Sequence, residues 1–264
     1  MIPRLKRIID DFKRYNAGDM SAEVFGFDGN VAYDALVAAP GWKPTKIIKD
    51  AAYKVTSLAA HSYASGYLVE RDGVKIAWAQ TAAGAGNLFD NLIICAGMKF
   101  KKLIFAGAVG SLTPEFAIGD FCTPTECVSG VYIDHYLDEC LNAEYRPFNK
   151  IYPDTDFVNR VVARAGERGY DLKSAKVFST ESIALEYSHL AEIKATGAQL
   201  IEMETSTFYR MAEMMEIPSI ALLIVSDNSA TGDPLLGRGE DRDRRYGRAR
   251  STIIPEMIFE IAKL

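Results

Sequence analysis

The chain has 264 residues and a formal net charge of −5, with 48% of its residues hydrophobic and 25% charged. These values fit one large α/β domain and argue against a dedicated nucleic-acid binder, which is usually basic. The N-terminal segment lacks the apolar core of a signal peptide, and no stretch has the ~20 apolar residues that span a bilayer. We therefore expect a cytoplasmic protein that binds neither nucleic acid nor membrane.

The cysteine pattern is typical of a protein from a reducing compartment. The four cysteines, Cys95, Cys122, Cys127 and Cys140, form no CxxC pair. A disulfide scaffold is not expected at this length, so we interpret them as small buried thiols. No histidine, cysteine and carboxylate cluster has the spacing of a metal site, and we predict none.

The chain opens with a predicted amphipathic helix over residues 4–15, in which Leu5, Ile8, Ile9 and Phe12 fall on one face. Asn16 and Gly18 would end it. We predict an N-terminal helical extension over residues 1–30 and one domain over residues 31–264. The helix is a candidate for a subunit interface.

The first half of the domain alternates strands with helical segments. In chain order we predict a strand over 34–38, a hairpin with strands over 66–70 and 74–80, a loop over 81–86, a helix capped by Asn87, a strand over 103–106, and a turn-rich loop as far as Gly119-Asp120. The hairpin makes the sheet mixed.

The second half continues the alternation. In chain order we predict a helix around 157–165 that ends at Gly169, a strand over 175–178, a helix at Leu190 and Ile193, a strand near 200–201, a helix from Glu204, a buried strand over 219–225, and a last helix over 253–261 that Pro255 starts or kinks. The charged segment 238–250 is predicted to be exposed or at an interface. This pattern predicts a single-domain, three-layer α/β/α fold around a mixed, largely parallel twisted sheet.

Five predicted strand ends carry glycine or polar residues where α/β sheets hold their sites. They are the segments 41–43, 81–86, 106–110, 201–204 and 226–228. Backbone N–H groups in such loops can face an anion or a sugar.

Four of these segments together resemble a known family. The segments are TAAGAGN (81–87), AGAVGSLTPEFAIGD (106–120), IEMETSTFY (201–209) and IPSIALLIVSDN (217–228). In this order they are similar to the motifs of the purine nucleoside and uridine phosphorylases. The resemblance implies the nucleoside phosphorylase fold and cleavage of a nucleoside's N-glycosidic bond. It also implies inorganic phosphate as co-substrate, no cofactor, and assembly as a homodimer, trimer or hexamer.

The resemblance also assigns roles to residues. Glu204 matches the glutamate that binds the ribose hydroxyls, and Met203 matches the methionine that packs on the sugar. Asp227 matches the acid that protonates the purine N7 as the base departs. Glu202 is either a second sugar contact or a buried structural partner. The residues expected around the base are Ser179, Thr180, Ile183, Ser226 and Asn228, with Ile183 in the place of a stacking aromatic ring.

Chemistry supports these roles without the family. The ribosyl group becomes oxocarbenium-like during cleavage, and a carboxylate such as Glu204 can accept two hydrogen bonds from its hydroxyls. Desolvation after an apolar strand would raise the pKa of Asp227 and keep a proton available. In the plainer interpretation, Asp227 is a helix cap and Glu204 a first-turn glutamate favoured by the helix dipole.

The phosphate side departs from the family pattern. Lys43 lies in a turn where phosphorylases carry an arginine, Phe105 replaces a second arginine, and Ala108 replaces a serine. An arginine binds phosphate through two directional hydrogen bonds that a lysine cannot reproduce. The residues left to bind phosphate are Gly41, Lys43, Gly84, Ala108 and Gly110, with Lys46, Arg238 and Arg242 as other possible cations.

Three functional hypotheses follow. In the first, the protein is a nucleoside phosphorylase that releases ribose 1-phosphate. In the second, it is a nucleosidase that uses water, although no equivalent of the N-terminal glutamate of such hydrolases is evident. In the third, it is a catalytically weak nucleoside-binding relative. Asp227 favours a purine, and uridine stays open as a substrate.

Overall fold

The computed structural model describes residues 1–16, 18–137, 144 and 146–264, so the prediction for Cys140 lies outside the described residues. The helices are α1 (Pro3–Arg14), α2 (Met20–Phe25), α3 (Pro44–Ile47), α4 (Ala85–Cys95), α5 (Ile133–Tyr136), α6 (Thr155–Glu167), α7 (Ile183–Glu186), α8 (Leu190–Ala195), α9 (Thr205–Met215) and α10 (Glu240–Lys263). The strands are β1 (Ala32–Tyr33), β2 (Ala35–Pro40), β3 (Lys54–Ala60), β4 (Ala64–Arg71), β5 (Val74–Thr81), β6 (Lys99–Phe100), β7 (Leu103–Ser111), β8 (Phe121–Gly130), β9 (Lys150–Ile151), β10 (Leu172–Thr180), β11 (Leu200–Glu202) and β12 (Ser219–Asn228).

One mixed sheet of ten strands organises the molecule, in the order β11-β10-β8-β12-β7-β2-β5-β4-β3, with β9 beside β8. The pairings of β10 with β8, β12 with β7 and β2 with β7 are parallel, and the β4–β5 hairpin is antiparallel. Strand β11 pairs with both β10 and β7, so this end of the sheet closes on itself. The closure brings the ends of these strands around a common space.

Helices cover both faces of the sheet, which explains the uninterrupted apolar strands. In β12, Ala221 and Leu223 pack into one core, while Leu222 and Ile224 pack into the core on the opposite face. Helices α4 and α9 supply residues to the first core, and α6 and α10 to the second. The predicted three-layer α/β/α fold with a mixed sheet is therefore confirmed.

The N-terminal segment packs into the main core. Helix α1 forms as predicted, and a second helix, α2, follows, with the Asp19 carboxylate capping it at the backbone N–H groups of Ser21 and Ala22. Leu5, Phe25 and Phe27 are fully buried in the core that α4 and α9 also line. Residues 1–30 thus share a core with the rest of the chain.

Several element boundaries differ from the prediction. Helix α4 begins at Ala85, and the Asn87 side chain donates back to the Ala83 carbonyl, so Asn87 is not its cap. Gly84 holds the cap position with a φ of 106°, which glycine adopts without strain. Residues 106–110 belong to strand β7 rather than to a loop, because both faces of this strand are covered.

The C-terminal charged segment is also regular structure. Residues 240–250 form the first half of α10, and Pro255 lies inside this helix, not at its start. The apolar half of α10, from Ile254 to Ile261, packs into the core beneath the sheet. None of the helices in the described ranges combines the length and the apolar run that crossing a membrane requires.

Candidate active site

The ends of β10, β11 and β12 and the second half of β7 surround a cavity of about 170 Å³. The predicted site residues that line it are Ala108, Gly110, Thr180, Ile183, Glu202, Met203, Glu204, Ser226 and Asp227. They come from segments up to 119 positions apart, between Ala108 and Asp227. The cavity unites the sugar-side and base-side residues that the sequence assigned to one site.

Other predicted residues lie outside the cavity lining. They are Gly41, Lys43, Gly84, Ser179 and Asn228. Gly84 and Ser179 each donate a hydrogen bond to a cavity glutamate. The Asn228 amide donates to the carbonyls of Thr113 and Phe116, both at 2.8 Å, so it fixes the loop after β7. The Lys43 side chain is exposed before α3.

Glu202 and Glu204 form a buried carboxyl pair at the start of α9. Glu202 accepts four hydrogen bonds: from the hydroxyls of Ser179 (2.6 Å) and Thr205 (2.7 Å) and from the N–H groups of Glu204 (2.6 Å) and Thr205 (2.8 Å). Burial raises the pKa of Glu202, while these donors oppose the rise. With four donors directed at it, Glu202 is held as the ionised member of the pair.

Glu204 is the member of the pair that takes up a proton. It occupies the cap position of α9, and one of its oxygens accepts a hydrogen bond from the Gly84 N–H. Burial raises the pKa of Glu204, and the negative charge of Glu202 raises it further. A carboxyl group of this kind can both donate to and accept from a sugar hydroxyl.

Asp227 lines the same cavity from the end of β12. The β12–β7 pairing shifts register between Val225 and Asp227, so Ser226 is an extra residue and both Ser226 and Asp227 line the cavity. Burial raises the pKa of Asp227, and the Ser226 hydroxyl, which donates to Oδ1 at 2.6 Å, and the charge of Arg238 oppose the rise. The environment of this carboxyl group therefore favours its protonated form more than water does.

A fourth carboxyl group, Glu186, lines the cavity and was not predicted. It ends α7, a helix of four residues that Ser182 caps by accepting from the Leu185 N–H. Burial and then the charge of Asp227 raise the pKa of Glu186 to about 7. In the sequence, Ser182 is followed by residues that favour helices, and this is the only local sign of α7. A single helical turn is too short to show a periodic hydrophobic pattern.

The described cationic side chains near the cavity are paired with other groups and do not line it. Among the described residues that line it there is no lysine, arginine or histidine. Arg242 pairs with Asp233 at 2.7 Å, and Arg238 pairs with Asp243 at 2.7 Å while donating to the Ser226 carbonyl. The segment after β2 contributes Trp42 to the wall.

A wider groove of about 720 Å³ lies between α1, α2 and α4. We place the site in the smaller cavity because the buried carboxyl groups converge there.

Within the described ranges, no group of three or more histidine, cysteine, aspartate or glutamate side chains could hold a metal ion. The thiols of Cys95, Cys122 and Cys127 are free and buried, and burial raises their pKa values.

Comparison with known proteins gives two findings. The family model of the phosphorylase superfamily matches residues 36–254. The crystal structure of Campylobacter jejuni 5'-methylthioadenosine/S-adenosyl homocysteine nucleosidase is similar in fold, with a TM-score of 0.67 and 19% sequence identity. The similarity covers 87% of this chain and 98% of that one.

Proposed function

Because the chain belongs to the phosphorylase superfamily, we propose that it cleaves the N-glycosidic bond of a purine nucleoside and that water is the nucleophile. The products would be the free base and ribose. Both phosphorolysis and hydrolysis are open to this fold, since the similar Campylobacter jejuni structure is named a nucleosidase. The choice between them has to come from the cavity itself.

One observation carries the proposal: four carboxyl groups and, among the described residues, no cationic side chain line the cavity. A phosphate dianion would enter a desolvated space beside the Glu202 carboxylate, and no described cation lines that space to compensate for the phosphate's lost hydration. A neutral water molecule meets no such penalty. The charge of the cavity wall therefore favours hydrolysis.

The positions predicted to bind phosphate give little support to phosphorolysis. Gly41 and Lys43 are not part of the cavity wall. The Gly84 N–H already donates to Glu204. Ala108 and Gly110 line the cavity but offer only backbone groups within a paired strand. The phosphorylase hypothesis thus lacks a cation that could hold its co-substrate.

The same wall suits the chemistry of glycosidic cleavage. As the C1′–N bond breaks, the ribosyl group becomes positively charged, and the Glu202 carboxylate on the sugar side stabilises that charge. In our assignment Glu204 binds the ribose hydroxyls and Met203 packs on the sugar. Glu202 orients Glu204 through the bond it accepts from the Glu204 N–H.

Asp227 is our candidate for the acid that protonates the leaving base. It lines the same cavity as Glu204, so a nucleoside whose sugar contacts Glu204 can direct its base toward Asp227. Burial raises the pKa of this carboxyl group, which favours its acid form. An acid at this point suits purine N7, which supports a purine over uridine. The shared cavity also disfavours a binding protein without activity, because binding alone does not require a buried acid.

The test is to incubate the protein with inosine, adenosine or uridine, with and without phosphate, and to follow release of base and sugar. We expect equal base release in both conditions and ribose as the sugar product. Phosphate-dependent release of ribose 1-phosphate would establish phosphorolysis instead. Binding without release would establish the binding protein. An Asp227→Asn sample purified in parallel controls for contaminating nucleosidases.

We further propose that the protein is cytoplasmic and forms a homo-oligomer. Large apolar side chains of α7 and the turn after it are exposed, namely Ile183, Leu185 and Tyr187. A cluster of this kind is typical of a surface that another subunit covers. Light scattering coupled to size-exclusion chromatography measures the mass, and a monomer at all concentrations would exclude the assembly.

A further inference from the structure

The amide groups at the start of α9 are bound by side chains from outside this helix. The first N–H groups of an α-helix have no partner within it, and the residue at the cap position usually accepts one of them through its own side chain. Glu204 holds that position in α9, but its side chain accepts no N–H of the helix. Its φ of −136° and ψ of −24° also lie outside the extended region that capping residues usually adopt.

Glu202 and Ser179 take the place of the missing cap. The Oε2 atom of Glu202 accepts from the N–H groups of Glu204 at 2.6 Å and Thr205 at 2.8 Å. The Ser179 hydroxyl accepts from the Ser206 N–H at 3.0 Å. The two side chains that bind these successive N–H groups therefore come from β11 and β10, not from α9.

This external cap releases the Glu204 carboxyl group for the cavity. An acidic side chain at a cap position ordinarily folds back over the first turn of its own helix, which here would withdraw Glu204 from the site. Instead, Glu204 lines the cavity and accepts a hydrogen bond from the N–H of Gly84, the cap residue of α4.

Ser179 joins the buried carboxylate to the start of the helix. Its hydroxyl donates to Oε1 of Glu202 at 2.6 Å, and the same oxygen accepts from the Ser206 N–H. Strand pairing fixes the place of Ser179, because it stands beside Glu202 where β10 and β11 run parallel. The side chain is fully buried and lies outside the cavity lining.

We propose that Ser179 is a positioning residue of the active site: by capping α9 and holding Glu202, it keeps the Glu204 carboxyl group in the cavity. The inference rests on the proposed function, in which Glu204 binds the ribose hydroxyls. Without the Ser179 hydroxyl, the Ser206 N–H loses its acceptor, and a buried N–H without an acceptor is costly. The Glu204 carboxyl group is then drawn toward the helix start and away from Gly84.

The experiment compares wild type with Ser179→Ala and uses Ser206→Ala as the matched control. The Ser206 hydroxyl is buried and, within the described part of the chain, has no hydrogen-bond partner, so its removal leaves the Ser206 N–H and its contact in place. Hydrogen exchange of the Gly84 amide, followed by ¹⁵N NMR, reports whether Glu204 still accepts from it. Because this amide would lose a hydrogen bond to a carboxyl group, we expect its exchange to be about 10-fold faster or more in Ser179→Ala only.

Kinetics separates a positioning role from general damage to the site. The two measurements are kcat/KM for a purine nucleoside and the inhibition constant of the corresponding free base. Because Glu204 contacts the sugar and not the base, we expect kcat/KM to fall about 10-fold or more in Ser179→Ala, while the inhibition constant of the base stays within about 2-fold of wild type. Ser206→Ala should match wild type in both.

Each outcome decides the proposal. Unchanged exchange at Gly84 in folded Ser179→Ala overturns it, as does an equal loss of affinity for the free base, which would make Ser179 a base contact. If Ser179→Ala does not fold, Ser179→Cys answers the same question, because a thiol is a weaker acceptor and donor than a hydroxyl. The exchange measurement needs no substrate, so failure of the proposed function is seen separately, as absence of base release by wild type.

Discussion

Gly110 lies opposite Asp227 where β7 pairs with β12, and a Cβ atom at Gly110 would lie 2.9 Å from Asp227 Oδ2. The same atom would lie 3.3 Å from Ile201 Cγ2, so it could not move toward β11. The Asp227 carboxyl therefore faces the cavity only because the strand beside it has no side chain at this position. The glycine of β7 thus places the acid of β12.

The first prediction concerns Gly110→Ala. The new methyl group would displace the Asp227 carboxyl, and a misplaced acid reduces the rate strongly, so we expect kcat/KM to fall about 10- to 100-fold. Overpacking should also reduce the free energy of unfolding by about 1–3 kcal/mol. Gly247→Ala is the control, since no heavy atom lies within 4 Å of a Cβ atom there. Unchanged kinetics in folded Gly110→Ala would contradict the role of this contact.

The second prediction concerns Asp227→Asn. The amide keeps the size of the side chain and can still accept the Ser226 hydrogen bond, but it has no acidic proton for the base. We expect kcat to fall about 100- to 10,000-fold with a smaller change in substrate affinity, measured by steady-state kinetics and by calorimetric binding. Asp241→Asn, at an exposed carboxylate of α10 paired with Arg244, should leave both unchanged. Full activity of Asp227→Asn would remove it from the mechanism.

Residues of this cavity could be predicted from sequence where they follow a strongly patterned element. Glu202, Met203 and Glu204 stand between a short apolar strand and a helix, and Asp227 follows a continuous apolar strand. Strand ends of this kind meet at one edge of an α/β sheet, so their convergence was foreseeable. The resemblance to the phosphorylases supplied their roles.

The rest depended on tertiary structure. The glycines of 106–110 indicate a loop locally, yet this segment pairs with β12 and is buried, and packing overrides its propensity. Glu186 lies on a helix of one turn, which no periodicity reveals. The bulge that turns both Ser226 and Asp227 toward the cavity depends on the register between β7 and β12. These strands are far apart in the chain, with 119 positions between Ala108 and Asp227, so neither strand's own sequence reveals the bulge.

The third prediction tests how the N-terminal segment contributes to stability. Phe25 is fully buried in the core shared with α4 and α9. Phe25→Ala should lower the free energy of unfolding by about 3–5 kcal/mol, because it removes apolar contacts and leaves a cavity. Tyr15→Ala, at a side chain 82% exposed, should change it by less than about 0.5 kcal/mol. Equal urea midpoints for the two variants would show that residues 1–30 fold apart from the domain.

The fourth prediction separates the two glutamates at the start of α9. In wild type, both carboxylate oxygens of Glu202 accept hydrogen bonds. In Glu202→Gln, one of them is replaced by an NH₂ group, which would face donors and cannot accept from them. We therefore expect a loss of about 2–4 kcal/mol in the free energy of unfolding. Glu204→Gln removes a desolvated charge and keeps an acceptor for the Gly84 N–H, so stability at about pH 8 should be equal or greater while activity falls. Urea unfolding and base-release assays measure both. Equal destabilisation by the two variants would refute the assignment of charge within the pair.

The fifth prediction concerns stability against pH. The pKa of Glu186 is raised from 4.5 to about 7 in the folded protein, so between these values the folded state binds more protons than the unfolded chain. Stability from this group is therefore fully present below about pH 4.5 and is lost as the pH rises toward 7. The raised pKa values of Glu204 and Asp227 act in the same direction, whereas carboxylates with lowered values, such as Asp34 and Glu126, contribute stability that is lost only at lower pH.

Glu186→Gln isolates this contribution, because its glutamine does not titrate. From about pH 5 to about pH 7.5, urea unfolding of wild type should lose on the order of 1–3 kcal/mol more than the same measurement on Glu186→Gln. Glu192→Gln, which removes an exposed carboxylate of α8, should follow wild type. If wild type and Glu186→Gln lose stability in parallel, Glu186 is ionised throughout this pH range. Its buried carboxylate would then accept a hydrogen bond from a donor such as an ordered water molecule in the cavity.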